Sequence, residues 1–287
     1  MLKKINDKRN YIILTIILIL LVSITIKNNT PKNYTKEFNY FDEKIIINIY
    51  KIKNSKKVYN NIDNIYAKYH KFYLNQDKNN NKEFIKILKY GKKLYQESNG
   101  LIDITTRKLV QNIESEKNMN FKTSINSLNF KNKNTLININ IDSIIGPYAT
   151  NEVVKYLKNN KINNYLINED GNIIAGKHYN NKKYKISIID KNKKIVETVK
   201  LENEALAVKG NTNLLKPYMI NPITSKKTKS NDLIVVIDKD IKRANETASI
   251  LYLIEDRKKY IEENDIKALW QENDKINISK GFQKYTK

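Results

Sequence analysis

Two histidines, His70 and His178, and no cysteine leave this chain few of the residues that hold transition metals or act as thiol nucleophiles. The chemistry open to it rests on carboxyl, amide, hydroxyl and ammonium groups. One promising collection lies between Asn140 and Gly146, which reads Asn-Ile-Asp-Ser-Ile-Ile-Gly. A β-rich run, residues 135–142, leads into it, and a helical pattern leaves it with Ala149, Val153, Tyr156 and Leu157 on one stripe. Gly146 is an acceptable N-cap, and Pro147 suits a first helical turn, where a missing N–H costs nothing. Free backbone N–H groups at such a strand-to-helix turn point outward and commonly hold ligands. With the extended pattern of residues 163–176, the segment reads as a βαβ unit and its turn as a candidate binding site.

The elements that must position this turn are legible on both sides. After a linker about Pro31, residues 43–52 read as a strand, and Ser55 to Tyr73 as an amphipathic helix with Val58, Ile62, Ile65, Tyr69 and Phe72 on one face. His70 sits beside that stripe in a structural or solvated role. A second helix carries Phe84, Ile87, Leu88, Gly91, Leu94 and Tyr95 and ends at Asn99 and Gly100. Asp103 reads as the cap of a further helix presenting Leu109, Val110 and Ile113. Residues 114–134 are polar and irregular. Residues 184–190 and 194–201 form a hairpin pattern, and short extended pieces follow at 204–208 and 218–221. A buried strand at 233–238, a helix at 241–254, a helix about Tyr260 and two short strands at 267–270 and 276–279 close the chain. No internal repeat or second linker interrupts this series, so it reads as one α+β domain over residues 34–287.

The net charge of +23 favours polyanionic partners such as nucleic acid, anionic lipid or cell-wall polymer. Lysine, asparagine and isoleucine are nevertheless spread over almost every segment, and no arginine cluster interleaved with aromatics appears, so a nucleic-acid partner is not expected. Lys3, Lys4, Lys8 and Arg9 precede an uncharged apolar run, Tyr11 to Ile26. That pattern is an export signal or a signal anchor. Sixteen helical residues rise only ~24 Å, so flanking side chains must snorkel to span a bilayer core. Because no small-x-small cleavage site stands out, residues 1–30 read as an uncleaved single-pass anchor in the cell membrane, with the bulk of the chain outside the cytoplasm.

Five segments in order carry a resemblance. They are Gly100, Ile102, Asp103, Ile104, Thr105 and Leu109; Asn140 to Asn151, with Ser143, Ile144, Tyr148, Ala149 and Thr150; and Leu166, Ile167, Asn168, Gly171 and Ile173. Two more follow: Tyr218 to Ser225 through Ile220, Pro222 and Thr224, and Ile234 to Ile237 with Ala244, Ala248 and Leu251. Together they resemble the FAD:protein FMN transferase (ApbE-like) family. The resemblance implies an α+β flavin-transferase-like domain of mixed sheets flanked by helices behind the membrane anchor. It also implies FAD as substrate, Mg²⁺, and transfer of FMN to a Ser or Thr of a flavin-acceptor protein in a membrane redox system. By the same resemblance Leu101, Ile102, Asp103, Asn140 and Gly146 surround FAD, while Ser143, Asn245 and Ser249 surround Mg²⁺.

Attack of a hydroxyl on a diphosphate needs a hard cation on the phosphate oxygens and a base for the proton. The positions where the family carries those charges differ here. Its aspartates correspond to Asn140, Asn221 and Asn245, its loop lysine to Gly146 and its histidine to Tyr218. A glycine of the family has become Asp170, a threonine Ser249 and a serine Lys209. Asp142, Asp170 and Glu246 are the nearby carboxylates that could substitute. In a strand Asp142 would share a face with Asn140, whereas Glu246 is turned about 100° from Asn245 on a helix. Three functions compete on this reading: a transferase with divergent ligands, a catalytically silent flavin-binding or partner-docking paralogue, and a basic surface protein that adheres to anionic polymer.

Overall fold

The computed structural model describes residues 32–75, 81–115, 121–128, 138–190, 192–210, 219–228, 233–272 and 275–286. The chain opens with a hairpin, β1 (Asn33–Tyr40) and β2 (Glu43–Tyr50), followed by helices α1 (Ser55–Leu74), α2 (Lys82–Glu97) and α3 (Arg107–Glu114). Helix α4 (Asp142–Asn159) leads to β3 (Tyr165–Glu169) and β4 (Asn172–Ala175), then to β5 (Tyr184–Ile189), β6 (Ile195–Leu201) and β7 (Glu204–Gly210). Two short pieces, β8 (Ile220–Asn221) and β9 (Lys226–Lys227), precede β10 (Leu233–Asp238). Helices α5 (Ile241–Leu253) and α6 (Arg257–Glu263) and strands β11 (Ala268–Glu272) and β12 (Lys275–Ile278) complete the order.

Eight strands form one sheet in the order β1-β2-β3-β4-β7-β10-β11-β12, with each pairing antiparallel. Alternation sorts their side chains onto two faces. Ile45, Ile47 and Ile49 of β2, Tyr165 and Ile167 of β3, and Ala205 and Ala207 of β7 join the core beneath α1, α4 and α5. Leu206, Val235, Leu269 and Phe282 join a smaller core on the opposite face, covered by the β5–β6 ribbon. Strand β10 is buried on both faces, which is why residues 233–237 are an unbroken apolar run.

Most elements expected from the sequence are present, including the 184–201 hairpin, the buried strand β10 and the two closing strands. Helix α1 buries Tyr66 as well as the expected stripe, while Ile65 is only partly covered. Strand β1 replaces what reads as a linker. It is an edge strand with one fully buried side chain, Phe38, so its apolar signal is weak. His70 is structural: its Nδ1 accepts the Phe41 N–H at 3.2 Å, and its ring stacks on Tyr73 with centroids 5.6 Å apart.

The expected βαβ unit does not form. Part of the run 135–142 lies outside the described residues; Asn138 to Ile141 is irregular, and Asp142 is already helical. Ile139 and Ile141 are fully buried as a strand pattern requires, but the backbone bonds go elsewhere. Asn140 N donates to Ile104 O at 2.7 Å, and Arg107 N donates to Asn138 O at 3.2 Å, so the segment pairs with a loop instead of the sheet. The helix therefore begins four residues before Gly146, with Ile141 at the cap and Pro147 inside it. Residues 163–176 are likewise not one strand. Asp170 and Gly171, at φ 45° and 94°, turn β3 back onto β4 as a two-residue hairpin loop.

Candidate functional site

A cavity of about 480 Å³ opens where α4, α5, the loop before α3 and the ends of β2, β3 and β7 converge. Seven of the eight expected site residues line it: Leu101, Ile102, Asp103, Asn140, Ser143, Asn245 and Ser249. Gly146 does not. It lies behind the wall, where an added Cβ would stand 2.9 Å from Glu169 Oε1 and 3.1 Å from Glu43 Oε2. The helix backbone thus rests directly on two carboxyl groups.

Each wall follows from local bonding. Asp103 does not cap α3; that helix begins at Arg107 behind Thr106, without a side-chain cap bond. Asp103 Oδ1 instead accepts from Thr105 N and Thr105 Oγ1, both at 2.7 Å, which closes a tight turn. Its Oδ2 is buried without a hydrogen-bond partner, on a residue that faces the cavity. Asn140 Oδ1 accepts Asp142 N at 3.0 Å and stiffens the entry to α4. Asp142 shares the cavity with Asn140, through a helix start and not through strand alternation.

Pro147 governs the α4–α5 wall. Having no N–H, it cannot serve the Ser143 carbonyl four residues earlier. Asn245 Nδ2 donates to that carbonyl at 3.1 Å, and Ser249 Oγ donates to Asn245 O at 2.8 Å. A carbonyl only accepts, so the amide nitrogen must face it and Asn245 Oδ1 must face away, where it is buried without a partner. Glu246 also reaches the cavity despite its helical offset, because the space extends along both sides of the helix face. Burial pushes its carboxyl up to about 8, and its Oε1 has no hydrogen-bond partner.

The opposite wall carries charge that sequence reasoning did not assemble. Glu43 is in phase with Ile45, Ile47 and Ile49, Glu169 with Tyr165 and Ile167, and Lys209 with Ala205 and Ala207. All three sit at strand ends on the helix-covered face, and Asp170 joins them from the β3–β4 turn; Glu43, Lys209 and Asp170 line the cavity, and Glu169 is fully buried behind them. A charged residue continuing a buried alternation is the signal that could have found them. Thr150 Oγ1 donates to Glu169 Oε1 at 2.8 Å and lies 3.0 Å from Tyr66 Oη; Glu169 Oε2 and Glu43 Oε2 are buried without partners. Burial raises Glu43 to about 7 against the opposing pull of Lys209. Glu169 is raised well above the carboxylate range by complete burial and then by Glu43. Asp170 is raised and the Lys209 ammonium lowered, each chiefly by desolvation.

The donor set does not fit a magnesium ion. Among the described residues no three of His, Cys, Asp and Glu converge as ligands, and the Asn245 amide already occupies the Ser143 carbonyl. Mg²⁺ demands near-octahedral oxygen at close range, and an N–H at that position repels it. Tyr218 of the late motif lies outside the described residues, while Asn221 Oδ1 caps its own turn by accepting Ile223 N and Thr224 N. The expected anchor, residues 1–30, also lies outside them. No helix among the described residues is long and apolar enough to cross a membrane.

Comparison with known proteins gives a consistent picture. The sequence model of the ApbE family matches residues 21–270. The fold is similar to the flavin transferase ApbE from Vibrio cholerae, at TM-score 0.73 and 18% identity over 89% of this chain and 100% of that one. It is also similar to the Pseudomonas stutzeri flavinyl transferase ApbE in its apo form, at 0.70 and 16% over 89% and 97%. An ApbE protein from Thermotoga maritima follows at 0.70 and 13%, over 89% and 100%. No curated protein sequence matches.

Proposed function

This chain belongs to the ApbE family, and we propose that it is a flavin-binding member that has given up cation-dependent transfer of FMN from FAD to a protein hydroxyl. The observation that carries this reading is the Asn245 amide seated on the Ser143 carbonyl. An uncharged internal hydrogen bond occupies the place where the family resemblance puts a cation, and among the described residues no three carboxyl or imidazole groups converge there. Losing one preorganised electrostatic contact to a developing charge costs about 10²- to 10³-fold in rate. In the same reading the basic flank and the run Tyr11 to Ile26 hold the domain outside the cytoplasm at the cell membrane, beside the flavin-acceptor protein of a membrane redox system.

Calorimetric titration with FAD, with and without Mg²⁺, tests the cation. Weak association that Mg²⁺ leaves unchanged is expected, and no covalent FMN should appear on an acceptor domain by in-gel fluorescence. A firm Mg²⁺ requirement, or a fluorescent band lost when the acceptor Ser or Thr is replaced, overturns the proposal. The transferase reading has one observation in its favour: Asp103 and Glu246 each present a buried, unpartnered oxygen on residues lining the cavity.

A further inference from the structure

We propose that the cavity selects an uncharged flavin bearing free ribityl hydroxyls, of the riboflavin class, over its phosphorylated forms; this rests on the flavin-binding reading above. The chain as a whole is strongly basic, at +23, yet the described residues that line its cavity are not. Among the described lining residues seven carry carboxyl groups and one, Lys209, carries an ammonium. Asp42 and Glu114 add to the carboxyl groups already described. Burial keeps Glu246 and part of Glu43 protonated near neutral pH, yet the described lining still offers a phosphate one ammonium among several carboxyl groups, so the attraction of the surface for anions is not continued into the site.

Hydrogen-bonding capacity points the same way. The buried side-chain atoms without partners around the cavity are Glu43 Oε2, Asp103 Oδ2, Asn245 Oδ1 and Glu246 Oε1, all oxygens. The Asp103 and Asn245 side chains are more than nine-tenths buried. Glu43 and Glu246, which burial leaves protonated in part near neutral pH, can also donate, but the Asn245 amide oxygen only accepts and the Asp103 oxygen belongs to a residue that faces the cavity, so this part of the wall calls for a ligand that donates. The ribityl chain offers hydroxyl protons and the isoalloxazine an N–H, whereas a phosphate at neutral pH offers acceptors only. The usual refuge for phosphate, a helix N-terminus, is also taken. The first turn of α4 carries Asp142, and Asn140 Oδ1 already holds the Asp142 N–H.

The test is binding of riboflavin, FMN and FAD to the full-length chain in mild detergent, by quenching of flavin fluorescence. Riboflavin should bind about tenfold or more tighter than either phosphorylated flavin, and the gap should shrink as salt is raised from about 0.05 to about 0.5 M. Asp103→Asn, which keeps the Oδ1 contact with Thr105 and puts a donor in place of Oδ2, should narrow the gap several-fold. If that variant fails to fold, the salt series on the unmodified chain decides. FAD binding as tightly as riboflavin overturns the selectivity and leaves flavin binding standing. FMN matching riboflavin while FAD lags assigns the preference to size and overturns it too, as does a gap that ignores salt. Failure of all three flavins to bind overturns the underlying flavin reading itself.

Discussion

The two walls of the cavity have met the same problem in opposite ways. On the α4–α5 wall charge is replaced by an amide: Asn245 bridges to the Ser143 carbonyl, and neutral hydrogen bonds complete the contact. On the β2–β3–β7 wall charge is gathered: Glu43, Glu169 and Asp170 surround Lys209, and two of the carboxyl groups press against Gly146. The Asn245–Ser143 contact of the first wall needs no help from pH or ions, although Glu246 beside it keeps its proton only up to about pH 8. The second holds together only while its protons and its one ammonium balance. Neutral contacts therefore fix the geometry of this site, and charged ones make it conditional.

Removing the ammonium should break the charged wall hardest. Lys209→Met leaves the buried carboxyl groups without a cation, and a loss of about 3 kcal/mol in urea denaturation at pH 8 is expected. At pH 5 the same variant should lose much less, because the raised carboxyl groups are then protonated. An equal loss at both pH values would show that Lys209 contributes packing and not charge.

Asn245→Asp converts the neutral wall into a charged one. With two oxygens opposite the Ser143 carbonyl, thermal unfolding should reveal a cost of about 2 kcal/mol. Millimolar Mg²⁺ should restore that loss in the variant and do nothing for the unmodified chain. Gly146→Ala probes the seam between the walls. Alanine favours a helix, but its Cβ would meet Glu169 Oε1 at 2.9 Å, so a net loss of about 1 kcal/mol is expected. Adding Glu169→Gln should not relieve it, since the amide is as large; adding Glu169→Ala should.

The most gradual effect, comparable in size to that at Gly146, is the pH slope of the unmodified chain. Burial raises Glu43 to about 7 and Glu246 to about 8 from an ordinary 4.5, so the folded state keeps protons that the unfolded chain releases. Their contribution is full below pH 4.5 and is lost as pH rises through about 8. Unfolding midpoints should fall by a few degrees, about 1–2 kcal/mol, between pH 5 and pH 8. A rising midpoint would mean that depressed carboxylates elsewhere dominate.

How much of this was legible in sequence depends on range. Helices α1 and α2 announce themselves because their apolar residues repeat every three or four positions against polar neighbours. The motif order placed Asp103, Asn140, Ser143, Asn245 and Ser249 in one site, and the cavity brings them together. Residues 138–141 misled because a buried alternation of Ile139 and Ile141 looks the same whether its backbone pairs with a strand or with the 104–107 loop. Glu43 and Glu169 were missed, and Lys209, read only as a replaced serine, was not joined to them, because their meeting depends on the register of separate strands, which no local pattern records. Glu246 was kept as a possible substitute but turned about 100° from Asn245 by helical geometry, which says where a side chain starts and not how wide the space before it is.

Pro147 carries one more consequence, in the ladder of backbone bonds along α4. A helix normally opens cooperatively because each turn is tied to the next by several rungs. Here the rung from residue 147 to Ser143 is absent, and its carbonyl is tied sideways to another helix. The turn that holds Asn140, Asp142 and Ser143 is thereby uncoupled in part from the twelve residues beyond the proline, Tyr148 to Asn159. Its local unfolding is free to follow α5 and the contents of the cavity, while the rest of the helix follows the core. Amide exchange at Ile144 to Gly146 consequently reports on the site, and exchange at Val153 to Leu157 reports on the fold.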